Sequence, residues 1–290
     1  MNDPVRGGVE SWSGDRATRW VRQAAGIERQ LAPVSDRLLA AAAIAPGESV
    51  LDIGCGTGPT TREAARAAGA GGRVTGLDLS EDMLAAAAGV ATEPGSAPID
   101  WLQADGSAWS PPEPAAYDVV ISRFGVMFFS DPLAAFTNFA RVTKPGGRLA
   151  TAVWARRGES EVFEVPLQAA LRALDQCGAP YEPPADDDGP YSFHDPASVE
   201  QLLTAAGWSS VEQTTHDLTL LFAGGASPQD AAPASLDFGP TRIVAEGADD
   251  ETKAAIVAEI AEAFATRVDT DGHVALGGRI RVVQARIPDA

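Results

Sequence analysis

Residues Ser49 to Thr61 read SVLDIGCGTGPTT, a compact apolar run, three closely spaced glycines and a proline at the head of the next segment. Val50, Leu51 and Ile53 predict a short strand, and Gly54, Gly56 and Gly58 predict a turn whose backbone no side chain obstructs. A strand, a glycine turn and then a helix is how a parallel α/β sheet builds a nucleotide site at the carboxyl end of its first strand. The spacing narrows the ligand. A dinucleotide loop carries G-x-G-x-x-G, and Pro59 stands where its third glycine belongs. A phosphate-binding P-loop needs G-K-[ST], which does not follow. Pro59 suits the first helical position, and Thr57, Thr60 and Thr61 are predicted to bond the free amides of that first turn.

The run Val50-Leu51-Asp52-Ile53-Gly54-Cys55-Gly56-Thr57-Gly58 resembles motif I of the class I S-adenosylmethionine-dependent methyltransferases. The resemblance implies an α/β fold, a seven-stranded Rossmann-like sheet with N-terminal lid helices and an inserted cap, and S-adenosylmethionine as cofactor. It assigns Asp52, Gly54, Cys55, Gly56 and Thr60 to the cofactor site. Cys55, one of two cysteines, otherwise reads as a small buried side chain in the turn, and two cysteines are too few for a disulfide framework.

Length and charge limit the partners. The 290 residues, 45% of them hydrophobic, suffice for one large α/β domain with elaborations. A formal net charge of −18 disfavours nucleic acid, which is bound through basic surface. No run approaches the roughly 18 apolar residues of a membrane span, and the opening segment has no apolar leader, so a cytoplasmic protein with a small-molecule acceptor is expected.

The expected organisation is lid helices over 1–48, a cofactor-binding core over 49–154, a cap over 155–195, and over 196–290 the remainder of the sheet with a helical insertion on the substrate side. In the first part Trp12, Trp20, Ile27 and Leu31 share a helical face, and Pro33 predicts a break before a second helix. Trp20 reads equally as a lid residue or a packing residue, and Trp12 as packing. A second strand, Arg73 to Asp78, ends in an acid about 20 residues past the glycines, where a carboxylate can accept bonds from both ribose hydroxyls. Leu79 and Met83 would flank the adenine or join the core.

A third strand closes at Ala104-Asp105-Gly106, and the resemblance gives Asp105 the adenine amino group. The fourth strand, Tyr117 to Ser122, runs into Arg123-Phe124-Gly125-Val126-Met127-Phe128-Phe129, unusually apolar for a surface loop. Tyr117 to Pro132 is similar to the segment after strand four in small-molecule methyltransferases akin to ubiquinone and menaquinone biosynthesis enzymes, which puts Ser122 and Arg123 beside the cofactor. Lys144-Pro145-Gly146-Gly147 predicts a turn before strand five, Arg148 to Trp154. Helices are expected at 162–174, 197–206 and 250–265, and strands at 211–222 and 279–287.

Methyl transfer from a sulfonium asks the protein to align a nucleophile, exclude water and remove a proton where the acceptor carries one. Proximity alone can contribute roughly 7 to 11 kcal/mol. Of three histidines, His194 is the first candidate base, with Tyr191 beside it; otherwise His194 is a helix-start residue bonding local backbone. His216 falls in a predicted strand and His273 in a turn. No metal site is expected, since Asp186-Asp187-Asp188 reads as an exposed acidic loop. Trp20, Phe124, Met127, Phe128, Tyr191 and Phe193 are the expected substrate pocket, suited to a small, largely apolar or aromatic quinone, phenol, indole or amine of secondary metabolism. The rival readings are a nicotinamide-dependent oxidoreductase and a repurposed, non-catalytic cofactor binder.

Overall fold

The computed structural model describes residues 15–111, 116–182 and 189–289. Trp12 and the Asp186–Asp188 loop lie outside the described residues.

Chain order gives α1 (Asp15–Ala42), β1 (Ser49–Ile53), α2 (Pro59–Ala68), β2 (Arg73–Asp78), α3 (Glu81–Ala88), β3 (Ile99–Gln103), β4 (Tyr117–Arg123), α4 (Pro132–Val142) and β5 (Thr143–Trp154). There follow α5 (Glu161–Cys177), α6 (Pro196–Ala205), β6 (Ser209–Leu221), α7 (Pro228–Ala231), α8 (Gly239–Ala245), α9 (Asp250–Ala265) and β7 (Ala275–Arg286). The strands form one seven-stranded sheet in the order β3-β2-β1-β4-β5-β7-β6. β1 to β5 are parallel, and β7 runs antiparallel between β5 and β6.

Hydrophobic content explains the layering. Central strands of a parallel sheet are covered on both faces, and β1 is buried from Val50 through Ile53. The chain reverses between β3 and β1 on one side and β4 on the other, so the carboxyl tips of β1, β2, β3 and β4 open onto a common crevice.

Pro33 does not break α1, which runs through it as one helix. A proline inside a helix costs about 3 kcal/mol, but Leu31, Val34, Leu38 and Ala42 form a continuous buried stripe on the sheet. Tertiary packing of that stripe outweighs the local cost. The Lys144 to Gly147 segment likewise belongs to the start of β5 rather than standing before it, with Lys144 Nζ bonded to both oxygens of Asp118. The helices at α5, α6 and α9 follow their amphipathic and capping signals; Asp195 caps α6 by accepting from the amides of Ala197 and Ser198, with Pro196 next.

Two insertions stand over the sheet tips. One is α5, after β5; the other is the stretch between β6 and β7 that contains α7, α8 and α9. α5 packs on both α8 and α9. α5, within the 155–195 stretch, lines one side of the cavity over the tips with Val162, Phe163 and Pro166, and the stretch from Phe222 to Ile243 lines another.

Candidate functional site

The glycine loop after β1 is built by backbone geometry that only its sequence permits. Gly54 and Gly58 have φ of 65° and 78°, the left-handed region that favours glycine. A side chain at Gly54 would come within 2.8 Å of Gly125 Cα, and one at Gly58 would collide with the Trp101 ring. Gly56 faces open space. Amides of Gly54 and Cys55 donate to Leu77 O at 2.8 and 3.1 Å, which ties the loop to the tip of β2.

Asp78 completes that tie. Its Oδ2 accepts from Gly56 N at 2.8 Å and its Oδ1 from Ser80 N at 2.9 Å. Burial raises its pKa above the ordinary carboxylate value, with those amides opposing the rise. Asp105 lies at the tip of the neighbouring strand, its Oδ1 accepting from Ser107 N at 2.9 Å and Ser107 Oγ at 2.7 Å. Asp78, Leu79, Met83, Ala104, Asp105 and Gly106 all line one cavity of about 740 Å³, together with Gly54, Cys55, Gly56 and Thr60 of the loop.

Asp52 corrects an expectation. It does not line the cavity; it lies fully buried beneath the loop, where Thr60 Oγ1 and Thr61 Oγ1 each donate to its Oδ2 at 2.7 Å. Those threonines therefore bond the carboxylate rather than the first-turn amides, and the helix has no side-chain cap. Asp52 sits in a central strand flanked by Leu51 and Ile53, so both of its faces are covered. Its Oδ1 has no partner among the described residues. Burial pushes its pKa up to about 6, with the hydroxyls and nearby Arg123 pulling the other way. Ser122 is also beneath the surface, its hydroxyl donating to Ile53 O at 2.7 Å.

Arg123 does face the cavity, its Nη1 donating to Ser35 Oγ of α1 at 2.7 Å. Burial lowers its pKa to about 10, and no carboxylate among the described residues is within ion-pair distance of it. Among the described residues its guanidinium is hydrogen-bonded to a hydroxyl and only more distantly faces the carboxylates of Asp52 and Glu28, which leaves donors open to an anionic guest.

Beyond the strand tips the cavity turns aromatic. Phe124, at a left-handed φ of 66°, lies flat on Trp154 with ring centres 4.4 Å apart. Phe163 of α5 meets Trp154 edge-on at 4.8 Å, and Tyr191 meets Phe163 edge-on at 5.2 Å. Opposite them Trp20 of α1 packs on Phe238 at 5.4 Å. Met127 and Phe128 join the lining, as do Phe222, Pro233, Ser235 and Ile243 from the second insertion.

Besides Asp52 and Ser122, two more residues expected at the site lie elsewhere. His194 is absent from the lining; its Nδ1 pairs with Tyr191 O at 2.9 Å, the local backbone bond of a residue preceding a helix cap. Phe193 is core, its ring 5.8 Å from that of Phe136. Arg281 fixes both by donating to the carbonyls of Phe193 and His194 at 3.1 and 3.0 Å. Conversely, Arg19, Trp154, Phe163, Phe222, Ser235 and Phe238 line the cavity although the sequence motifs do not single them out. Only Phe238 carries a sequence signal, as an aromatic residue at the start of a short helix with Pro240 in its first turn.

Comparison with known proteins agrees with this geometry. Residues 50–147 match the family model described as a methyltransferase domain. The chain is 32% identical over 210 residues to nocamycin O-methyltransferase of Saccharothrix syringae, covering 69% of this chain and 72% of that one. It is 31% identical over 180 residues to demethylmenaquinone methyltransferase of Lactococcus lactis, covering 59% and 69%. The solved structure of YcgJ from Bacillus subtilis superposes with a TM-score of 0.54 at 17% identity, over 89% of this chain and all (100%) of that one, a likeness of fold. With a glycine loop, an acid at the tip of β2 and relatives matched over most of their own length, the chain belongs to the S-adenosylmethionine-dependent methyltransferases.

Proposed function

We propose that this methyltransferase acts on a small, largely apolar or aromatic metabolite of secondary metabolism, seated against the Phe124–Trp154–Phe163–Tyr191 wall. One observation carries the reading: the cavity that begins at the glycine loop continues without interruption into that aromatic chamber. The names of its relatives, an O-methyltransferase of nocamycin and a methyltransferase of demethylmenaquinone, are in keeping with acceptors of this kind.

The residues present fit the cofactor. Asp78 would accept from the ribose hydroxyls, and Asp105 from the adenine amino group, with Leu79 and Met83 against the ring faces. Gly54, Cys55, Gly56 and Thr60 would line the backbone approach. Arg123, near the carboxylates of Asp52 and Glu28 but within ion-pair distance of neither, would receive the carboxylate of the methionine end. Asp52 would act from below, its charge favouring the ammonium of the same end and its hydrogen bonds fixing the start of α2. When bound, S-adenosylmethionine supplies an electrophilic methyl on a sulfonium. The work left to the chain is orientation and exclusion of water, which α1 and the two insertions perform by roofing the chamber.

Labelled S-adenosylmethionine offered with a panel of quinones, phenols, indoles, amines and aromatic acids tests the reading. Label transfer to at least one member is the expected result. Tight binding of S-adenosylhomocysteine with transfer to none would instead favour a repurposed binder.

A further inference from the structure

We propose that the acceptor is a flat oxygen acid, a carboxylate or an ionised enol, that enters already charged and is held by Arg19 and Ser235. The inference rests on the methyl-transfer reading and names the substrate class of that same chamber.

Two observations converge. The first concerns proton acceptors. No histidine is among the described residues that line the cavity. Each carboxylate there is already engaged: Asp78 by Gly56 N and Ser80 N, Asp105 by Ser107, Asp230 by Ser227 Oγ at 2.7 Å, and Asp237 by Arg22 at 3.3 Å and by Gln23. Cys55 lines the cavity as a neutral thiol, since burial and the carboxylates of Asp52 and Asp78 push it well up. Tyr191 brings a phenol, ordinarily a proton donor. Among the described residues the lining therefore offers a proton-losing acceptor no imidazole, only carboxylates that each already accept a bond. Transfer to an oxyanion needs no base: one C–O bond forms, the S–C bond breaks with sulfur keeping its electron pair, and no proton is released.

The second observation concerns positive charge. In a chain of net charge −18, three arginines line the cavity. Arg123 stands at the methionine end, and Arg242 pairs with Glu246 at 3.5 Å. Arg19 has neither role, and its Nε is buried without a partner among the described residues. Ser235 is 3% exposed, and its hydroxyl is likewise buried and unpartnered. The two flank one clasp: Arg19 lies one turn before Gln23, Ser235 lies two residues before Asp237, and Gln23 bonds Asp237. Buried donors left open inside an apolar chamber mark the place where an anionic group of a ligand completes them.

The test uses the full chain saturated with S-adenosylhomocysteine, titrated calorimetrically with 2-naphthoic acid, 2-naphthol and 2-naphthylamine. The acid is expected to bind at least tenfold more tightly than either analogue. Arg19→Gln should bring the three to near parity without changing S-adenosylhomocysteine affinity, Arg19→Lys should restore part of the preference, and Ser235→Ala should reduce it severalfold. Equal or tighter binding of the naphthol or the amine, binding of none of the three, or a preference that survives Arg19→Gln would each overturn the proposal. Failure of S-adenosylhomocysteine itself to bind would instead strike the methyl-transfer reading.

Discussion

The two halves of the cavity are made differently. The cofactor half is assembled from the ends of β1, β2, β3 and β4, and most of its lining falls between Ile53 and Phe129. The half proposed to seat the acceptor gathers Arg19 and Trp20 from α1, Phe163 from α5, Tyr191, and the stretch from Phe222 to Ile243. The first is framed by backbone hydrogen bonds within one sheet. The second is held by side chains between segments far apart in the chain. A site built on the sheet is rigid and general, whereas a site built on insertions can change its guest without disturbing the sheet.

That contrast predicts separable damage. Asp78→Ala should have the largest effect, removing a carboxylate whose charged hydrogen bonds are worth about 1.5–3 kcal/mol each. Calorimetry should show S-adenosylhomocysteine binding weakened by at least tenfold; unchanged affinity would remove Asp78 from the cofactor half. Asp52 comes next, through pH. Its folded pKa of about 6 lies above the ordinary carboxylate value of 3.8, so the native state holds a proton that the unfolded chain releases. Its contribution to stability is present below pH 3.8 and is lost as pH rises toward 6, at about 1.4 kcal/mol for each pH unit crossed. Asp52→Asn should abolish that slope in denaturant titrations run between those pH values; a slope that persists would place its origin elsewhere.

Phe163→Leu probes the other half. It removes the edge contacts to Trp154 and Tyr191, worth about 0.5–1.5 kcal/mol, and should raise the acceptor KM severalfold with cofactor affinity intact. A comparable loss at both ligands would erase the division between the halves. His194→Ala should have the smallest effect, within about twofold on turnover, because a general base's contribution of roughly 10²–10⁴ is not at stake outside the cavity. A larger fall would reinstate it as a proton acceptor.

Legibility in the sequence follows the same division. The strands from β1 to β5, the glycine loop, Asp78 and Asp105 are readable because each strand ends in a local signal. Asp52 misleads by the same logic: its place in the motif says nothing about both faces of β1 being covered. Pro33 reads as a break because the sequence shows the lost hydrogen bond but not the sheet that α1 packs against. His194 stands out for its aromatic neighbours, yet Phe193 turns into the core and leaves the imidazole on local backbone. Arg19 and Ser235 give no local sign at all, since what distinguishes them is a missing partner, a property of the folded chain.

One helix, α1, lines the cavity from Arg19 to Leu31. α1 is bonded to β4 through Ser35 and Arg123, and to the second insertion through Arg29 to Gly224 O, Gln30 to Ala223 N, and Arg22 and Gln23 to Asp237. Arg22 is largely exposed, so the outermost of these links is open to screening by salt. Raising ionic strength should weaken that outer link between α1 and the second insertion and so quicken product departure, even where the transfer itself is indifferent to it.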